Sequence, residues 1–159
     1  MVYFSQLEDS NVYDSKKAKV GKLADLIFLD GTGYAEITHL IYIDENKYKK
    51  KIPLAYVQEF KEEKEGAKDS INIYLNSPIE SITPFFMKEK ENLVGDILDK
   101  QVVDVYGVKL VRVNDIMMGK VENKFCVVAV CVGATSFVRR LGFHKLIGKA
   151  SSKMMDHII

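Results

Sequence analysis

Val20-Gly21-Lys22-Leu23-Ala24-Asp25-Leu26 and Leu110-Val111-Arg112-Val113-Asn114-Asp115-Ile116 lie ninety residues apart. They match at most positions: a basic residue stands opposite a basic one, Leu23 opposite Val113, and Asp25 opposite Asp115. At the same offset Val12-Tyr13-Asp14 falls opposite Val102-Val103-Asp104, so two aspartates spaced eleven residues apart occur twice. Farther on, the apolar run 37–43 has its counterpart in 125–132 after a small change in the length of the connecting turn. An aligned block followed by a second aligned strand at a fixed offset is the mark of an internal repeat. It predicts two similar domains, residues 1–84 and 85–159, with Ser77-Pro78 and Thr83-Pro84 punctuating the approach to the second.

Each copy reads as β-rich. Residues 19–29 and 109–118 are full of Val, Ile and Leu and are bounded by turn residues. Asp30-Gly31-Thr32-Gly33 and Tyr106-Gly107 supply turn chemistry. The strand at 37–43 is apolar on both sides, as a central strand would be, whereas Ile71, Ile73 and Leu75 alternate with Asn72, Tyr74 and Asn76 in the period of a half-exposed strand. The basic stretch 47–51 and the mixed-charge stretch 59–69 read as solvated loops, and residues 93–98 as a short helical turn. Near the end, Thr135-Ser136 caps an expected helix over 137–141 that Gly142 terminates, and 151–159 is a second amphipathic helical stretch. The fold class expected is therefore mainly β with short C-terminal helices.

Composition narrows the function classes. The chain has 159 residues, is 47% hydrophobic and 28% charged, and carries a net charge of +1, so it has core-forming material and no global basic field for nucleic acid. Its first nine residues lack the pattern of a signal peptide, and its longest apolar run, 125–132, is too short for a membrane span. Cys126 and Cys131 lie on opposite faces of one strand, where they cannot pair with each other and read as buried thiols. These features point to a cytoplasmic protein.

Chemistry is sparse in the sequence. His39 sits in an apolar strand, and His144 and His157 lie thirteen residues apart without the spacing that puts two imidazoles on one helical face. No C-x-x-C, G-x-G-x-x-G or P-loop spacing occurs. Neither a catalytic residue nor a metal or cofactor ligand is assigned. The repeated carboxylates Asp14, Asp25, Asp104 and Asp115 read as structural, with Asp14 and Asp104 bonding turn amides and Asp25 and Asp115 pairing with lysine or arginine at strand ends. The basic set Arg139, Arg140, Lys145, Lys149 and Lys153 is the candidate partner-contact surface, next to an apolar stripe through Met154, Met155, Ile158 and Ile159.

Several stretches resemble a known family. Asn11-Val12-Tyr13-Asp14 followed by residues 20–26 resembles the opening of a PRC-barrel domain, and Ile52-Pro53-Leu54-Ala55-Tyr56-Val57 is similar to that family's Ile-Pro segment. The series from Leu98-Asp99-Lys100-Gln101-Val102-Val103-Asp104 through residues 110–115 to Arg139-Arg140-Leu141-Gly142 resembles the second half of a tandem PRC-barrel region. In magnesium-transporter-like proteins that region precedes MgtE-type N-terminal and CBS domains. The resemblance implies two small β-barrel domains without an active site, acting as a protein-interaction and regulatory module. Other protein domains or subunits of the MgtE or CBS type, or a second copy in a homodimer, would be its partners. Its place would be the cytoplasmic face of a membrane transporter. Relatives of the fold occur in the photosynthetic reaction centre H subunit and in RimM, and the RimM likeness implies an alternative, an RNA-processing or ribosome-associated adaptor resting on the late basic set. Cys131 stands where the family often has aspartate and Ala129 where glycine is common, so the resemblance carries no carboxylate ligand to that strand.

Overall fold

A computed structural model of the chain describes residues 1–88, 90–98, 100–103, 110–132 and 137–140, and the fold is mainly β. The strands are β1 (Val2–Tyr3), β2 (Asn11–Tyr13), β3 (Lys19–Leu29), β4 (Ala35–Ile43), β5 (Lys49–Pro53), β6 (Val57–Glu65), β7 (Lys68–Leu75), β8 (Gln101–Val103), β9 (Leu110–Val121), β10 (Lys124–Val132) and β11 (Phe137–Arg140). A single helical turn, α1 (Phe4–Leu7), and 3-10 turns at Leu54–Tyr56, Ile79–Ser81 and Val94–Ile97 accompany them. The last of these falls where the sequence predicts a helical turn.

The chain divides into two compact units that interleave along the sequence. One gathers Gln6–Ile27 and Thr38–Glu91, and the other Met1–Ser5, Phe28–Ile37 and the chain from Asn92 onward. This differs from the consecutive division 1–84 and 85–159. The reason is pairing: the start of β4 runs antiparallel to β10, with Glu36 opposite Cys126 and Ala35 opposite Val127, so the tip of the β3–β4 hairpin belongs with the later strands.

Within the Gln6–Ile27 and Thr38–Glu91 unit the strand neighbours run β5, β4, β3, β2, β7, β6. The end strands β5 and β6 are joined by the 3-10 turn Leu54–Tyr56 alone. A flat six-stranded sheet would hold its edges roughly 24 Å apart at about 4.8 Å per strand, and so short a link reaches about 14 Å at most. The ladder therefore curls, bringing its ends toward each other, which is a barrel-like arrangement. Val12, Leu23, Leu26, Leu40, Ile41, Ile52, Ile73 and Leu75 are almost wholly buried in this unit. Gly21 lets two chains meet there, because a Cβ at this position would lie 2.1 Å from the Ile43 carbonyl oxygen.

In the other unit β9 pairs with β1, β8 and β10, and β10 also pairs with β11. Glu122 and Asn123, with φ of 50° and 65°, make the two-residue turn between β9 and β10, the left-handed pair that a tight hairpin needs. Val113, Ile116, Met118 and residues 126–132 of β10 form its core, and Cys126 and Cys131 are buried free thiols within it.

Three local expectations are corrected. Residues 137–140 form strand β11 on β10, with Ala129 opposite Arg140 and Val132 opposite Phe137, not a helix. A free β10 edge offers ladder hydrogen bonds that so short a helix, with its unmatched terminal amides, cannot equal. Most of the charged stretch 59–69 lies in the β6–β7 hairpin, from Val57 opposite Leu75 to Glu65 opposite Lys68. The basic stretch 47–51 enters β5, which pairs with β4 from His39 opposite Pro53 to Ile43 opposite Lys49. The expected helical stretch 151–159 and the Tyr106-Gly107 turn lie outside the described residues.

The offset of ninety reappears in the hydrogen bonds. Asn11 stands opposite Lys22 in the β2–β3 ladder, and Gln101 opposite Arg112 in β8–β9. The Ser10 amide donates to Leu7 O at 3.0 Å and the Lys100 amide to Ile97 O at 3.4 Å; the Leu23 amide donates to Ser10 O at 2.8 Å and the Val113 amide to Lys100 O at 2.9 Å. Val2 pairs with Met118 on β9, and the Phe28 amide on β3 donates to Asn92 O.

Candidate functional site

The repeated aspartates bind the protein's own backbone. Asp14 is buried, and its Oδ1 accepts the amides of Lys16 at 2.9 Å and Ala18 at 3.0 Å while Oδ2 accepts that of Ile79 at 3.0 Å. Burial alone would raise its pKa, but the amides of Ile79, Ala18 and Lys16 outweigh that and hold it below the usual carboxylate value. Asp25 and Asp115 perform one local task at equivalent places, since Oδ1 of each accepts the next amide, Leu26 or Ile116, at 2.8 Å. Asp115 also accepts from the Ser5 amide at 3.1 Å and from the Ser5 hydroxyl. Asp104 lies outside the described residues.

An open groove of about 900 Å³ occupies the Gln6–Ile27 and Thr38–Glu91 unit. Gly21 and Ile43 form part of its wall, and Lys19, Lys22, Lys47, Lys49 and Lys50 line it together with Glu8, Asp9, Asp44 and Glu45. The 44–48 turn is built by Asp44, whose Oδ1 accepts the amides of Asn46 at 3.0 Å and Tyr48 at 2.9 Å. Lys50 Nζ reaches Asp44 Oδ2 at 3.0 Å, which lowers the carboxyl pKa and raises that of the ammonium. A surface carrying both signs of charge is suited to a polar partner surface more than to a simple anion. Its lysines come from β3, from the 44–48 turn and from β5, which only folding brings together, so the sequence does not announce it.

Two further clusters were not visible in the sequence. Lys51, read as solvated, is buried and ion-paired to Glu91 at 2.8 Å. His39 lies close by: Phe85 meets its ring edge-on with centroids 6.2 Å apart, and its Nδ1 is 2.8 Å from Thr38 Oγ1. On the β6–β7 hairpin, Glu63 accepts from Tyr74 Oη at 2.7 Å and Asn72 Nδ2 at 2.6 Å, and Tyr13 stacks on Tyr74 at 5.3 Å. The Glu63 hydrogen bond, helped by burial, pushes the Tyr74 phenol up to about 12.

Of the candidate contact set, Arg139 and Arg140 fall on β11, while Lys145, Lys149 and Lys153 lie outside the described residues. Phe85 and Phe86 are exposed aromatics that the sequence reading did not single out; Phe86 is 95% exposed. Among the described residues there is no group of three or more His, Cys, Asp or Glu placed to hold a metal ion, and no helix long and apolar enough to cross a membrane. No family model matches the chain, and no curated protein matches it in sequence.

Proposed function

We propose that the chain is a tandem PRC-barrel-like protein: two repeats related by duplication, serving as a non-enzymatic interaction and regulatory module. The observation that carries this reading is the recurrence at ninety residues of both the Asp25/Asp115 amide bond and the Leu23–Ser10/Val113–Lys100 strand contact. Conserving such scaffold bonds across a repeat is what duplication of one small β-domain leaves behind. The curled six-strand ladder suits a barrel, and Asp14, Asp25 and Asp115 are engaged with backbone amides. The mixed-charge groove supplies a surface for a protein partner, where paired charges set orientation and specificity more than raw affinity.

On the same reading the chain acts in the cytoplasm as the adaptor part of a magnesium-transport or CBS-linked protein, and its partners are MgtE-type or CBS-type domains. The test is titration of the isotope-labelled chain with a purified MgtE N-terminal and CBS fragment. Saturable shifts at Lys22, Lys47 and Lys50 that disappear on Lys22→Glu with Lys50→Glu support the proposal. A well-folded chain showing no shift with that fragment contradicts the magnesium-transport assignment.

A further inference from the structure

We propose that His39, Lys51 and Glu91 form a pH-sensitive latch that holds residues 84–88 against the outer edge of β5 and releases them when His39 is protonated. Only one edge of β5 is taken up by β4. On the other, Phe85 bridges Lys51: its amide donates to Lys51 O at 2.8 Å, and the Lys51 amide donates back to Phe85 O at 3.4 Å. Lys51 Nζ donates to Glu91 Oε1 at 2.8 Å, and the same oxygen accepts the Lys88 amide at 3.2 Å. One carboxylate thus secures the buried ammonium of the strand and the backbone of the segment that crosses it.

His39 lies where it can disturb this balance. The charges acting on its ring are Lys51 from β5, Lys88 from the latched segment and Glu91 just beyond it, while Phe85 packs edge-to-face against the ring. With His39 neutral, Lys51 and Glu91 compensate each other. A proton on His39 adds a second cation that repels Lys51 and competes for Glu91. Breaking a buried pair is costly because the charge left behind lacks its partner. Burial first, then Lys51 and Lys88, lower the His39 pKa from 6.5, partly opposed by Glu91.

Release uncovers the ring that Phe85 packs against, and lifting that burial, the largest cause of the lowered pKa, raises its proton affinity against the opposing loss of Glu91. The latched state is therefore fully favoured above about 6.5 and loses ground as pH falls below it. Opening frees a strand edge with unpaired amides and carbonyls, a surface that another extended chain can join.

The test is amide hydrogen exchange on the full chain at about pH 7.5 and about pH 5.5, with protection corrected for intrinsic exchange. Phe85 protection is expected to fall severalfold on acidification while that of Leu40, on β4, stays constant. His39→Gln should keep Phe85 protected at both values, and Glu91→Gln should leave it weakly protected at both. Unchanged Phe85 protection in the wild type, or an equal fall in His39→Gln, overturns the latch. Should His39→Gln fail to fold, the wild-type chain still decides: the His39 ring proton and the Phe85 amide must titrate with one midpoint by NMR, and separate midpoints refute the coupling.

Discussion

Leu23 and Val113 hold equivalent places ninety residues apart, each donating its amide to a carbonyl just before the preceding short strand, Ser10 O at 2.8 Å and Lys100 O at 2.9 Å. Main-chain bonds do not depend on side-chain identity, so on the proposed duplication they outlast divergence of the residues around them. Lys22 with Asn11 and Arg112 with Gln101 keep the same ladder positions although the side chains differ.

Asp14 is expected to be the most sensitive of the repeated aspartates. Asp14→Asn presents an amide group to donors that now meet a carboxylate, and a buried donor left unpaired costs about 1–3 kcal/mol. The folded pKa lies below the ordinary 3.8, so the unfolded chain takes up the proton first as pH drops. The stabilisation is thus present above about 3.8 and is lost as pH falls through the lower folded value. Chemical denaturation across acid pH should show Asp14→Asn less stable at neutrality and with a shallower acid loss than the wild type.

Gly21→Ala and Gly119→Ala should differ sharply. The new Cβ at residue 21 would stand 2.1 Å from the Ile43 carbonyl oxygen, whereas at residue 119 it meets the Met1 side chain, with Cγ at 3.3 Å. Met1 is 87% exposed and can move aside, but backbone cannot shift so cheaply. We expect Gly21→Ala to lose about 1–3 kcal/mol or more and Gly119→Ala to change stability by less than about 0.5 kcal/mol, as read from thermal melts.

Tyr74 should be the last of the described tyrosines to show its interaction with base. Its phenol is held up to about 12 by Glu63, and ultraviolet titration, in which burial also raises the Tyr42 phenol, should reveal Tyr74 as the later group. Glu63→Gln is expected to bring that group back toward the ordinary value of 10.0 without unfolding the hairpin. No change in the titration on Glu63→Gln would show that the hydrogen bond does not set the phenol's acidity.

The long strands were legible because their sequences are apolar enough to announce burial: β4 and β10 follow the runs at 37–43 and 125–132. The β6 strand was hidden by its charge. Among its residues only Val57, Phe60 and Glu63 turn partly inward, a spacing without the period-two alternation of an ordinary half-buried strand. β11 was misread because Thr135-Ser136 and Gly142 look like helix caps, while the ladder offered by residues 129–132 of β10 is a tertiary fact. Lys51 looked solvated in a run of lysines because its partner, Glu91, is forty residues away. The groove was likewise out of reach, since Lys22 and Lys50 lie far apart in sequence and face one space only after folding.

Duplication itself is tested most directly by NMR scalar couplings across hydrogen bonds in the full chain. Couplings are expected from the Leu23 amide to the Ser10 carbonyl and from the Val113 amide to the Lys100 carbonyl, with Ser10–Leu7 and Lys100–Ile97 as the matching inner pair. Both sets should appear, and persist together as stability is lowered by mild denaturant. Finding the first set with Val113 bonded to a residue other than Lys100 would break the equivalence of the two halves and contradict the duplicated scaffold.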